Sequence, residues 1–284
     1  MGRTDPPGTV SEPPAQAEQG AVGAERNVHP VDSSLAHPMA RFDERGQARR
    51  LFSRALPTPD SELELGVEAA QHAKVLRLAV GHSVRVFDGR GSSVLAKITL
   101  VEKGSLRCIA SEPIVFTERP AKVVLVQCLP KAGKLDDIVR MTTELGVSTI
   151  ALAVSEHCVA RSVRDEHKAE RLERIAIEAA RQSEQTYLPN ILPPRPLSAV
   201  LANVPAHAYR AACVERTERP LPLHLDASEL WLVIGPEGGF SPTDRELLRR
   251  SNFISTALGR SILRTETAAV VGVALALERF GRAR

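Results

Sequence analysis

From Val123 onward the chain alternates continuous apolar runs with stretches of helical spacing, and this alternation admits few folds. Val123-Val-Leu-Val-Gln-Cys-Leu129 is broken only by Gln127. Such a run suits a strand buried on both faces of a parallel sheet. Leu135, Ile138, Val139, Thr142 and Leu145 then recur along one helix face, and Glu144-Leu-Gly146 reads as a glycine-capped helix end. A strand at Thr149–Val154 precedes a helix from about Asp165 to Ser183, with Leu172, Ile175, Ala176 and Ala179 on one side. Strands at Tyr209–Val214, Trp231–Ile234 and Ile254–Leu258 and a helix from about Thr267 to Phe280 complete the series. The pattern predicts an α/β domain, residues 120–284, around a mostly parallel sheet.

Upstream the spacing shortens. His72–Leu78 predicts a short helix with Val75, Leu76 and Leu78 inward. Val84–Phe87 alternates like a strand, and Asp88-Gly-Arg-Gly91 is a turn. Val94–Val101 and Leu106–Ala110 predict a hairpin closed by Glu102–Ser105. Residues 41–115 therefore read as a small β-barrel domain, and a chain of 284 residues has room for both domains. Residues 1–40, with six prolines, four glycines and no aromatic residue, are expected to be a disordered tail. Met39 then becomes an alternative start, an idea that N-terminal sequencing of the native protein finding residue 1 would exclude.

Charge sharpens the division. The chain carries +3 overall, but residues 1–40 hold two arginines against five acidic residues, a net of −3, which leaves +6 on residues 41–284. Five arginines fall within residues 41–54. This run is a solvated face or a phosphate-contacting arm. Aromatic residues make up only 4%, too few for a binder that relies on stacked bases. Cys108, Cys128, Cys158 and Cys213 lack zinc-site spacing and have apolar neighbours, so they read as reduced, packed thiols of a cytoplasmic protein, with no metal site. The longest apolar run, Ala268–Leu277, is too short to span a bilayer.

Two loops concentrate the chemistry. Ile234-Gly-Pro-Glu-Gly-Gly-Phe-Ser-Pro242 leaves a buried strand, and Ser241 with Pro242 starts a helix. Its glycines let backbone approach a ligand, and it is neither a Walker A loop nor a dinucleotide fingerprint. Leu258-Gly-Arg-Ser-Ile-Leu-Arg-Thr-Glu-Thr-Ala268 likewise leaves a strand and opens a helix, with Thr265 or Thr267 as cap. A tight turn and a helix cap are the plainer readings of each alone. Gln182, on a helix with Ser183, is a candidate for hydrogen bonding to a base or a member of a solvated face.

In order, Arg50-Leu-Phe52, His72-x-x-Lys-Val-Leu-Arg77, Phe87-Asp-Gly89, Glu144-Leu-Gly-Val147, Gln182-Ser183, Ile234-Gly-Pro-Glu-Gly-Gly239 and Leu258-Gly-x-x-Ile-Leu-Arg-Thr-Glu-Thr-Ala268 resemble the ribosomal RNA small subunit methyltransferase E family of the SPOUT class. The resemblance spans about residues 49–281. It implies a SPOUT α/β domain with a deep trefoil knot and a PUA-like RNA-binding barrel before it. It implies a homodimer that methylates N3 of a uridine in 16S rRNA of the small ribosomal subunit, with no membrane partner. S-adenosylmethionine would be held by Ile234, Gly235, Pro236, Glu237, Gly238, Gly239, Leu258, Gly259, Ile262 and Leu263, with Leu129 and Thr267. Arg264 would stabilise the uracil anion, with Glu266 orienting it, and Arg49, Arg50, Arg77 and Gln182 would contact RNA.

Two places depart from the family. Arg181 and Gln185 stand where it often has Glu and Arg around the Gln-Ser pair, and Glu156-His157 where it tends to have Glu-Arg. The alternatives are a SPOUT enzyme for transfer RNA or large-subunit rRNA and a non-catalytic RNA-binding assembly protein. The two intact loops weigh against the second. A nucleotide hydrolase is disfavoured by the missing Walker lysine and metal carboxylates.

Overall fold

The apolar run at Val123 forms the centre of the larger domain. The structure, a computed structural model, describes residues 48–119, 122–131, 133–159, 166–214, 217, 219–222 and 227–281. The expected tail and the start of the arginine-rich segment lie outside them.

In the small domain the chain runs through β1 (Arg49–Phe52), β2 (Leu63–Leu65), α1 (Val67–Val75), β3 (Ser83–Phe87), β4 (Ser92–Glu102), β5 (Ser105–Ala110) and β6 (Val115–Phe116). The strands pair in the order β1-β3-β4-β5-β2, with β6 also on β4. Alternation puts Val84 and Val86 of β3 and Val94, Ala96 and Ile98 of β4 into one core with Leu51, Leu65 and Leu106. The expected hairpin is present, Glu102 pairing with Ser105. The helix lies earlier than its expected span. Its buried face is Ala69, Ala70 and Ala73, while Val75 is 78% exposed. The chain then turns through Arg77 at φ 53°, which returns Leu78 to the core.

The larger domain follows as β7 (Lys122–Cys128), α2 (Lys134–Leu145), β8 (Thr149–Val154), α3 (Glu166–Gln182), β9 (Asn190–Pro196), α4 (Leu197–Leu201), β10 (Tyr209–Cys213), β11 (Glu229–Ile234), α5 (Pro242–Arg250), β12 (Ile254–Thr256) and α6 (Thr265–Gly281). Six strands pair in the order β12-β10-β11-β7-β8-β9, all parallel. From β7 outward on one side the chain proceeds in order, β8 then β9. On the other, β11 inserts between β7 and β10. Helix α2 packs against α3 and α6, burying Leu135, Ile138, Val139 and Thr142. Leu145, expected inward, lies at the helix end and is 36% exposed. Gly146 caps α2 at φ 95°, as expected.

The domains meet along a seam. The turn at Gly89–Gly91 pairs with residues 186–188: Gly91 N–H donates to the Thr186 carbonyl at 3.1 Å and Leu188 N–H to the Gly89 carbonyl at 2.9 Å. Arg119 stacks its guanidinium 4.4 Å from the centre of the Tyr187 ring.

Candidate active site

Parallel pairing puts the carboxyl ends of all six strands on one edge, where open α/β sheets bind ligands. Register aligns Gln127, Ile234, Cys213 and Thr256 in one row across β7, β11, β10 and β12. The loops leaving β11 and β12 open on one cavity of about 1180 Å³. Ile234, Gly235, Pro236, Glu237, Gly239, Leu258, Gly259, Ile262 and Leu263 line it, as does Arg264. The two loops singled out from the sequence therefore form one site. Cys213, Phe240, Arg245, Arg260 and Thr265 also line it. Nothing in the sequence marks Cys213. It arrives because β10 lies between β11 and β12, an order that spacing does not encode.

Four expected site residues lie elsewhere. Leu129 is 1% exposed, and its N–H donates to the Ala153 carbonyl at 2.8 Å, so it belongs to the core. Gly238 turns its carbonyl toward His157, whose Nδ1–H donates to it at 3.0 Å. Thr267 is exposed, because α6 starts at Thr265 and turns residue 267 away from the cavity. Glu266 is engaged elsewhere: its Oε2 pairs with Lys134 Nζ at 3.1 Å, whereas Arg264 precedes the first residue of α6.

A buried latch ties the loops to the sheet. Gln127, fully buried in the apolar strand β7, donates from Nε2 to Thr265 Oγ1 at 3.0 Å. The Thr265 hydroxyl donates to the Gly235 carbonyl at 2.7 Å. An amide N–H in such surroundings is costly unless partnered, so the bond from Gln127 fixes the start of α6 over the first loop. A second tie is ionic. Lys134 Nζ lies 3.1 Å from Glu237 Oε1 as well as from Glu266, and the Lys131 N–H reaches both Glu237 oxygens at 3.1 and 3.2 Å. Burial pushes the Glu237 carboxyl up, but hydrogen bonds from its own backbone, Lys134 and Lys131 outweigh this and hold it below the usual range. Glu266, then Glu237, raise the Lys134 ammonium.

The candidate RNA contacts divide. Arg49 and Arg77 are exposed on the small domain. Arg50 is not: its guanidinium sits 4.8 Å from the Phe87 ring centre and donates to the Gln185 carbonyl at 2.9 Å. Burial lowers its pKa, with Glu184 opposing. In the structure it therefore serves the seam. Gln182 is exposed on α3, its amide 3.4 Å from Glu178. The departures also have structural roles. Arg181 pairs with Glu178, and Gln185 donates to the Glu144 carbonyl at 3.2 Å. His72 is pushed down to about 4 by burial, then by Arg181 and Arg49.

The four cysteines are free thiols. Burial pushes Cys213 up to about 12, so the cavity wall offers no thiolate near neutral pH. Among the described residues no group of three His, Cys, Asp or Glu side chains is placed to hold a metal, and no helix is long and apolar enough to cross a membrane.

Comparison with known proteins agrees with this arrangement. An RNA methyltransferase domain family matches residues 117–277, and an RNA methyltransferase PUA domain family matches residues 65–110. The ribosomal RNA small subunit methyltransferase E of Rickettsia conorii is 30% identical over 231 residues, covering 79% of this chain and 93% of that protein. The crystal structure of the Neisseria gonorrhoeae enzyme of that name, bound to S-adenosylmethionine, superposes with a TM-score of 0.73 at 25% identity, covering 80% of this chain and 96% of the other. A Legionella pneumophila methyltransferase, also with bound S-adenosylmethionine, gives 0.75 at 26% identity, covering 82% and 97%. With its SPOUT-like methyltransferase domain preceded by a PUA domain, the chain belongs to the ribosomal RNA small subunit methyltransferase E family.

Proposed function

We propose that this protein transfers a methyl group from S-adenosylmethionine to N3 of a uridine in 16S rRNA. The observation that carries this reading is the shared cavity, in which the two glycine-bearing loops and Arg264 meet at the carboxyl edge of a parallel sheet. The residues fit the donor. Ile234, Phe240, Leu258, Ile262 and Leu263 offer apolar walls to the purine and the methionine carbon chain of the donor. Gly259 adopts φ 148°, and no atom lies within 4 Å of where a Cβ would stand, so its backbone faces the cavity uncovered.

When bound, the donor supplies an activated sulfonium methyl. The chain itself positions and stabilises. The two loops hold the donor by backbone groups, and the latch at Thr265 keeps them in register. Arg264, exposed in the cavity wall, stabilises the negative charge that develops on uracil as N3 loses its proton.

Residues 41–115 grip the RNA, with Arg49 and Arg77 on phosphates, and residues 120–284 carry the reaction. The enzyme works as a homodimer in the cytoplasm, as its family implies, and the free thiols suit a reducing compartment. Titration calorimetry tests the donor reading directly. Binding of S-adenosylmethionine or its demethylated product with micromolar affinity supports it, and no binding to the folded protein rejects it. Sedimentation reads the dimer.

A further inference from the structure

Lys134 is the first residue of α2, where a positive charge opposes the helix dipole. Asp136 and Asp137 in the same turn suit that end. A lysine at this position gains nothing from its own helix. Its ammonium lies instead between two carboxylates from other parts of the chain, 3.1 Å from each. Glu237 belongs to the loop after β11 and lines the cavity. Glu266 lies in the first turn of α6, two residues after Arg264. All three side chains are partly sheltered, at 32, 22 and 19% exposure, so water screens them less than it would a surface pair. Without the ammonium, two carboxylates would face one another.

We propose that Lys134 is a positioning residue of the methyl transfer, bracing the donor loop through Glu237 and the Arg264-bearing helix start through Glu266. One cation sets the spacing between the group that cradles the donor and the group that stabilises the target base. The Glu237 arm acts on donor binding, the Glu266 arm on the placement of Arg264. This rests on the donor reading of the cavity.

The test uses the full-length protein, with donor affinity from calorimetry, the methyl-transfer rate at saturating donor, and the melting temperature. Lys134→Met should weaken donor binding and slow the saturated rate at least tenfold each. Lys134→Arg should restore both to within threefold of wild type. Glu266→Gln should slow the saturated rate about tenfold while donor affinity stays within threefold. A Lys134→Met protein with wild-type affinity and rate overturns the brace, as does a Lys134→Arg protein no better than Lys134→Met. So does Glu266→Gln weakening affinity as much as rate. Should Lys134→Met fail to fold, the Lys134→Arg and Glu266→Gln results decide by the same criteria. Wild-type protein that binds no donor fails the cavity reading instead, so the two failures are distinguishable.

Discussion

Arg264 stands where the cavity meets solvent, and its guanidinium is free of the loop-bracing network that engages Glu266. A charge that acts on the uracil anion contributes to the transition state and little to donor affinity. Arg264→Ala should therefore lower the rate at saturating donor about 10²-fold or more, with the donor dissociation constant changed less than threefold, as read by single-turnover assay and calorimetry. Thr265→Val removes a hydroxyl that serves two partners, the buried Gln127 amide and the partly buried Gly235 carbonyl. It should cost about 1–3 kcal/mol in urea unfolding and weaken donor binding as well. That Arg264 lines the cavity follows from the loop after β12 that opens α6, a pattern the sequence carries. The partners of Lys134 and of Thr265, which the sequence marks only as a cap, are not legible, because they lie more than a hundred positions away or are a backbone carbonyl. Glu266 is close to Arg264 in sequence, yet its carboxylate pairs with Lys134 from α2.

The elements show the same division. Strands β7 and β8 and helix α2 were legible because apolar runs and 3.6-residue spacing dominate them. Strand β9 was missed since Pro193, Pro194 and Pro196 argue against a strand. It exists because it forms the sheet edge, where missing donors are tolerated. Helix α1 begins earlier than Val75 and Leu76 suggest, because Ala69, Ala70 and Ala73 supply its core face. The seam turn is legible as a turn, but its partner, the segment 186–188, is not. At Gly91, φ is 106° and a Cβ would stand 2.4 Å from Tyr187 and 3.0 Å from the Thr117 carbonyl. Gly91→Ala should thus destabilise the protein by about 2 kcal/mol or more through backbone strain and collision, measured as a lower urea midpoint at unchanged m-value.

Across the whole molecule, the arginines that suggested an RNA-facing arm divide their labour. Arg50 and Arg54 join the small domain to the large one, Arg54 through Glu173, while Arg49 and Arg77 stay exposed. The seam also carries a pH dependence. His72 titrates near 4 in the fold against an ordinary 6.5. The unfolded chain takes up that proton first, so the contribution of His72 is complete above pH 6.5 and is lost as pH falls toward 4. Between pH 7 and pH 5 the melting temperature of His72→Gln should fall less than that of the wild type; an identical fall would remove His72 from the seam's electrostatics. The fold, the two loops and Arg264 are all accounted for by the proposed methylation of N3 of a uridine in 16S rRNA. Mass-spectrometric mapping of 16S rRNA from a strain lacking the protein tests it most directly. N3-methyluridine should disappear from one position, return with the wild-type gene and stay absent with Arg264→Ala. Unchanged N3-methyluridine in the deletion strain would contradict the account.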